Sequence, residues 1–167
     1  MDAFASTCQT ADGPFSIIAD SDSILASGWT GNLAELVALI HSSLRPSKLL
    51  TSSTGTISKA TQAVEAFYDN DFTATAAIPI LQYGSPFHRS AWDALHQVPP
   101  GVRLTYAALA ERAGNPKAVR AAGAACAFNA IALFVPCHRI VRTNGNLGGF
   151  RYGLKVKQSL LDREAVV

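Results

Sequence analysis

A cysteine and a histidine stand side by side at Cys137-His138, just after the apolar run Ile131-Ala132-Leu133-Phe134-Val135 and a proline. Only the thiolate of a cysteine is a strong nucleophile, and an unperturbed thiol is ionised to a few per cent near neutrality. A neighbouring imidazole can take up the proton, so the pair is a candidate activated nucleophile. Taken alone it supports an inert buried cysteine equally well. A second feature lies upstream. Ala118, Ala121, Ala122, Gly123, Ala124, Ala125 and Ala127 leave residues 117–127 almost without large side chains, and Arg120 projects from among them. A helix so bare allows close approach, either by a packed neighbour or by a nucleic-acid groove.

These residues need elements to hold them. The run 131–135 reads as a buried strand ending at the cysteine. Thr105 can cap a helix running to Arg112, and Gly114 stops it. Asn115, with Pro116 at the first helical position, caps the bare helix. Two short helices joined by a tight glycine-containing turn form a helix-turn-helix pattern. Before them, Phe87, Ala91, Leu95 and Val98 recur at helical spacing and Pro99-Pro100-Gly101 ends that helix. The last helix carries Leu154, Leu160 and Leu161. In the first half, residues 15–19 and 24–29 are β-rich runs around Asp20-Ser21-Asp22 and predict a hairpin. Asn32 with Glu35 resembles a capping box for a helix reaching Leu44. Residues 45–55 read as a loop and 58–68 as a second helix, with Val64 and Phe67 inward. A short strand is expected near 78–81, within a linker over 74–86.

Charge divides the chain. Residues 1–84 hold three basic and eight acidic side chains, a balance of −5, whereas residues 85–167 hold eleven basic and four acidic, a balance of +7. The basic half suits an anion such as nucleic acid, or a solvated surface. With 49% hydrophobic and 16% charged residues the chain can bury a core, which excludes a disordered chain. It has no apolar run long enough for a membrane span and no signal-like start. Three irregularly spaced cysteines make neither a disulfide framework nor a zinc ribbon. Together these features predict a cytoplasmic protein, nucleoid-associated in a prokaryote.

The motifs combine into a family resemblance. Asn129, Pro136-Cys137-His138-Arg139-Ile140, Gly148-Gly149-Phe150-Arg151-Tyr152-Gly153, Leu160-Leu161 and Glu164 resemble the O6-alkylguanine-DNA alkyltransferases, or methylated-DNA–protein-cysteine methyltransferases. Thr105-Tyr106 and Gly114-Asn115-Pro116-Lys117-Ala118-Val119-Arg120-Ala121 match in order and spacing. The resemblance is specific over residues 87–164 and weaker before them. It implies an α+β fold with an RNase H-like α/β scaffold domain over 1–80 and a mostly helical domain with a helix-turn-helix over 85–167.

It further implies direct transfer of an alkyl group from O6-alkylguanine, and from O4-alkylthymine, to Cys137. His138 would accept the thiol proton through a water, and Glu164 would orient the imidazole. Tyr106 would protonate the departing guanine, and Asn129 would act as a hinge. Phe150 would cover the base, with Arg151 near the guanine oxygen, and the carbonyls of Cys137 and Ile140 would accept from its exocyclic amine. Thr105, Lys117, Arg120, Ala121 and Arg139 would face double-stranded DNA, with Arg120 replacing a flipped nucleotide in the stack. No metal and no cofactor is expected, and the protein would act as a monomer, with cooperative binding on DNA an open alternative. Ala130, where a proline is common, predicts a less rigid turn. Phe150 in place of a tyrosine keeps the stacking face, and Ala127-Phe128 replaces a more polar or glycine-containing pair. The rival readings are a Cys-His-Glu hydrolase, which would turn over, and a non-catalytic lesion-binding relative, against which the presence of Cys137 argues.

Overall fold

The computed structural model describes residues 1–51 and 55–165. The chain separates into two compact units, one of Met1–Tyr83 with Ala130–Phe134, the other of Gly84–Asn129 with Val135–Val167.

In the first unit, β1 (Asp2–Thr10), β2 (Gly13–Ala19) and β3 (Ile24–Gly28) form an antiparallel meander. A fourth strand, β4 (Lys48–Thr51), adds parallel to β1 and gives the sheet order β3-β2-β1-β4. The hairpin of β2 and β3 is the one the turn residues predict, with Asp20 Oδ1 accepting from the amides of Asp22 and Ser23. β1 and β4 are not expected from the sequence, because small and polar residues blur their alternation. Residues 48–51, read as loop, are strand because β1 offers them a pairing edge. Ala3 and Ala5 are the buried residues of β1, and alanine carries little β signal.

Helix α1 (Leu33–Leu39) starts where expected, with Asn32 Oδ1 accepting from Ala34 N at 3.1 Å. Glu35 accepts from the Thr30 hydroxyl rather than closing a capping box. The helix stops short of Leu44, and the Arg45 guanidinium donates to the carbonyls of Ala38 and Ile40. Helix α2 (Gly55–Tyr68) buries Ile57, Val64 and Phe67 against the sheet. The short strand expected near 78–81 is reduced to a single bridge, Ile24 to Ile80, after a 3-10 turn at Ala74–Ala77.

The run 131–135 is not a continuous strand. Ile131 bridges to Ser27, Ala132 N donates to the Ser27 carbonyl, and Leu133 then turns at φ +74. Burial, rather than a sheet ladder, accounts for its apolarity. Ala130 N donates to Gln82 Oε1 at 3.1 Å, a bond that a proline there could not make. The expected loosening of the turn is therefore offset.

In the second unit, α3 (Pro86–His96), α4 (Tyr106–Arg112) and α5 (Val119–Phe128) pack together, and α6 (Leu154–Glu164) closes the chain. Thr105 Oγ1 caps α4 by accepting from Ala108 N at 3.0 Å, and Gly114 follows the helix at φ +100. The bare helix begins at Val119, later than the sequence predicts. Asn115 and Pro116 form a separate turn ahead of it, in which Asn115 Oδ1 accepts from Lys117 N. Ala122 and Ala125 are fully buried, and Trp92 donates to the Ala125 carbonyl at 2.9 Å. Packing thus uses one side of α5, while Arg120 and Phe128 face solvent on the other. No helix among the described residues is long and apolar enough to cross a membrane.

Candidate active site

A two-residue parallel pair assembles the site. β5 (Leu104–Thr105) runs directly into α4, and β6 (Ile140–Val141) directly follows a 3-10 turn at Cys137–Arg139. Pairing Leu104 with Ile140 and Thr105 with Val141 brings the first residue of α4, Tyr106, beside the turn that carries the cysteine.

Local geometry presents Cys137. Pro136 at φ −81 and ψ 63 centres an inverse γ-turn in which Cys137 N donates to the Val135 carbonyl at 2.8 Å. The proline ring favours the required φ. Asn129 Nδ2 donates to the same carbonyl at 2.9 Å, so the end of α5 is tied to the cysteine turn. Asn129 also hydrogen-bonds Cys137.

Behind the cysteine lies a buried chain of charge. His138 is fully buried, and its Nε2 donates to Glu164 Oε2 at 2.6 Å. Arg139 Nε donates to the other oxygen, Oε1, at 2.5 Å, and Arg139 Nη1 donates to the Val98 carbonyl at 2.6 Å. Burial pushes Glu164 up, but the hydrogen bonds and charges of His138 and Arg139 outweigh it and hold the carboxyl below its ordinary value. Glu164 is therefore a carboxylate, which fixes the tautomer of the neutral imidazole. The proton sits on Nε2, and Nδ1, which has no hydrogen-bond partner among the described residues, is the basic nitrogen. Burial lowers the His138 pKa against the pull of Glu164.

Burial pushes the Cys137 thiol up, opposed by Asn129 and by the charges of Lys157 and Arg151. The resting site therefore holds a thiol beside a neutral histidine. Tyr106 is half-buried, and its phenol is pushed up to about 12 by burial and by the nearby thiols Cys126 and Cys137. It stays a proton donor throughout the neutral range.

The other expected residues distribute unevenly. Lys117 and Arg120 are exposed, Ala121 is half-buried, and the Thr105 hydroxyl is engaged as a helix cap. Arg139 is the clear correction. Expected against DNA, it is 5% exposed and committed to Glu164 and Val98, because a buried carboxylate shared with a histidine needs a second donor. Phe150 packs edge-on against Tyr152 with ring centroids 5.8 Å apart, and Arg151 donates to the Ala127 carbonyl at the end of α5. The Cys137 and Ile140 carbonyls each already accept one bond, from Ile140 N and Lys157 Nζ, and each keeps a second lone pair.

Lys157 is the residue that sequence reasoning missed. It is fully buried, and its ammonium donates to the carbonyls of Ile140, Leu147 and Gly149 at 2.7, 2.5 and 3.2 Å. A lysine on the amphipathic pattern of α6 reads as solvated, and only the tertiary fold surrounds it with carbonyls.

Comparison with known proteins gives the family. Residues 86–166 match the family model described as 6-O-methylguanine DNA methyltransferase, DNA binding domain. The methylated-DNA–protein-cysteine methyltransferase of Methanosarcina acetivorans is 39% identical over 106 residues, covering 64% of this chain and 67% of the relative.

The chain belongs to the methylated-DNA–protein-cysteine methyltransferase family.

Escherichia coli Ada, a bifunctional transcriptional activator and DNA repair enzyme, is 46% identical over 88 residues, covering 53% of this chain and 25% of that protein. The chain thus spans about a quarter of its length. The fold extends the likeness over the whole chain. The Mycobacterium tuberculosis O6-methylguanine methyltransferase superposes with a TM-score of 0.77 at 22% identity, covering 99% of this chain and 93% of that one. A second structure of that enzyme, in complex with DNA, gives 0.79 at 24% identity over 98% and 93%. For this methyltransferase family member, the matched region contains Tyr106, Asn129, Cys137, His138, Lys157 and Glu164.

The buried network sets a pH dependence of stability. His138 in the fold takes up a proton less readily than at its ordinary value of 6.5, so the unfolded chain gains protons first as pH falls below 6.5. Glu164 repeats this lower down, because its folded value lies below the ordinary 4.5. Both groups therefore withdraw stability in acid. Urea midpoints measured between pH 7 and pH 4 should fall steadily, and a flat profile would show that the network is not buried in solution.

Proposed function

We propose that the protein repairs DNA by moving the alkyl group of an O6-alkylguanine onto its own Cys137, once per chain. The observation that carries this reading is the buried Cys137-His138 pair, whose imidazole is held through Nε2 by an ionised Glu164 while Nδ1 is left basic.

The chemistry follows from those groups. His138 takes the thiol proton, by way of a water in the family pattern, and the imidazolium formed is stabilised by Glu164. The thiolate sulfur attacks the saturated alkyl carbon, a carbon–sulfur bond forms, and the carbon–oxygen bond breaks with its electron pair left on guanine. Tyr106 gives its phenol proton to the guanine ring nitrogen, so a neutral base departs, and the proton that His138 took from Cys137 is returned through solvent to the Tyr106 oxygen, which leaves both groups neutral. Burial that raises the thiol pKa also keeps Cys137 inert until the base and the histidine act together. Arg139 serves here as the second anchor of Glu164.

DNA is the proposed partner. The basic second half and the exposed Arg120 and Lys117 support phosphate contact. We read α4 and α5 as a helix-turn-helix laid in the minor groove, with Arg120 filling the place of the extruded nucleotide. A Mycobacterium tuberculosis structure of the same fold is a complex with DNA, which supports DNA as the partner. The first unit, with its sheet order β3-β2-β1-β4, is read as an RNase H-like scaffold, and residues 85–167, apart from Ala130–Phe134 which belong to the first unit, as the DNA-binding and transfer domain. The same pocket chemistry extends to O4-alkylthymine. The protein is proposed to act as a monomer.

Mixing excess O6-methylguanine duplex with a known amount of protein should transfer one methyl group per chain, mapped by peptide mass spectrometry to Cys137. Repeated turnover, or methylation of Cys126 instead, would overturn the mechanism. Arg120→Ala should slow duplex repair by on the order of tenfold or more, yet barely change reaction with O6-benzylguanine as a base, which needs no flipping. Equal slowing of both substrates would remove Arg120 from the flipping step.

A further inference from the structure

Among the described residues no hydrogen bond joins Lys157 to Tyr106, yet one glycine connects them. Lys157 Nζ holds the carbonyls of Leu147 and Gly149, the residues on either side of Gly148, and anchors both to the Ile140 carbonyl at the end of the cysteine turn. Gly148 lies directly against the phenol. A methyl group built on it would stand 2.8 Å from the Tyr106 hydroxyl and 3.1 Å from Cε2 of the ring, and its φ is +75. No L side chain fits that position without moving the phenol.

We propose that Lys157 is a positioning residue for alkyl transfer: by clamping residues 147 and 149 it presses Gly148 onto Tyr106 and fixes where the phenol proton is delivered. Several observations support it. Lys157 is fully buried, and all three of its donors are spent on backbone carbonyls drawn from two segments that lie apart in sequence. Among the described residues Lys157 has no carboxylate partner, and burying an ammonium is costly unless its donors are satisfied, as they are here by three carbonyls. Residues 142–146 form an exposed turn closed on itself by Arg142 N to the Asn146 carbonyl and Gly145 N to the Arg142 carbonyl, and Lys157 ties the residues that follow, 147 and 149, back to Ile140. The ammonium also lies near both Cys137 and Cys126, whose negative forms it favours.

This inference rests on the role given to Tyr106 above, and the test separates the two. Single-turnover transfer from O6-benzylguanine, whose leaving group needs a proton, is compared with alkylation of Cys137 by iodoacetamide, whose iodide needs none. The ratio of the two rates is measured for the full-length wild type, Tyr106→Phe, Lys157→Met, the double variant, and Gly148→Ala, which keeps the clamp but displaces the phenol. Tyr106→Phe should lower the ratio roughly tenfold or more. Lys157→Met and Gly148→Ala should lower it comparably, and the double variant should be no lower than Tyr106→Phe alone. If Lys157→Met proves too unstable to assay, Gly148→Ala decides, since it leaves the buried carbonyls satisfied. Multiplicative effects in the double variant, or an unchanged ratio in Gly148→Ala, would overturn the inference and leave the role of Tyr106 standing. An unchanged ratio in Tyr106→Phe would overturn that role and the inference with it.

Discussion

The second unit is organised around one buried carboxylate. Glu164 sits at the end of α6 and is 1% exposed, where an unpaired charge would cost several kcal/mol. Its two oxygens are consumed by two different residues of one three-residue turn, His138 and Arg139. That requirement docks α6 on the cysteine turn and fixes the imidazole tautomer. It also draws Arg139 inward, where its remaining reach is spent on the Val98 carbonyl just beyond α3. Fold and chemistry therefore depend on the same charge: removing it would leave a guanidinium buried without its partner and a histidine with no defined basic nitrogen.

Around that anchor the site is built largely from backbone carbonyls. Val135 accepts from both the Asn129 side chain and the Cys137 amide, and Ile140 accepts from Lys157. On the proposed function, a site that admits a polar base has to be dry enough to strengthen hydrogen bonds, yet each of its own polar groups must be satisfied before the base arrives. Using side chains from α5 and α6 to satisfy backbone from the turn between them meets both needs. The cost is a thiol with a raised pKa, which confines reactivity to the moment when His138 can take the proton.

Much of this was legible in the sequence, and the failures have physical causes. Cys137, His138, Asn129 and Glu164 fall at motif positions, and the fold gathers them as the motif implies. Helices α3, α4 and α6 follow from apolar spacing and from caps such as Thr105. Arg139, expected against DNA, and Lys157, to which the sequence assigns no role, are buried for a common reason that spacing does not show: their partners are a carboxylate 25 residues away and carbonyls 8 to 17 residues away. β1 and β4 were missed because strand signal resides in branched and aromatic side chains, whereas these strands hold their place through pairing on both sides of β1. The run 131–135 has a strand's composition without its ladder, since burial alone rewards apolar residues.

The most direct measurement of the central claim is the rate of benzyl transfer from O6-benzylguanine to Glu164→Gln, alongside its affinity for undamaged duplex. Glutamine keeps the shape of the side chain but has one acceptor oxygen where Glu164 uses two, for His138 and Arg139, and it lacks the charge that fixes the tautomer of His138 and stabilises its imidazolium. The account predicts duplex affinity close to wild type, with transfer slowed by on the order of tenfold or more. Transfer at the wild-type rate by a folded Glu164→Gln protein would contradict it.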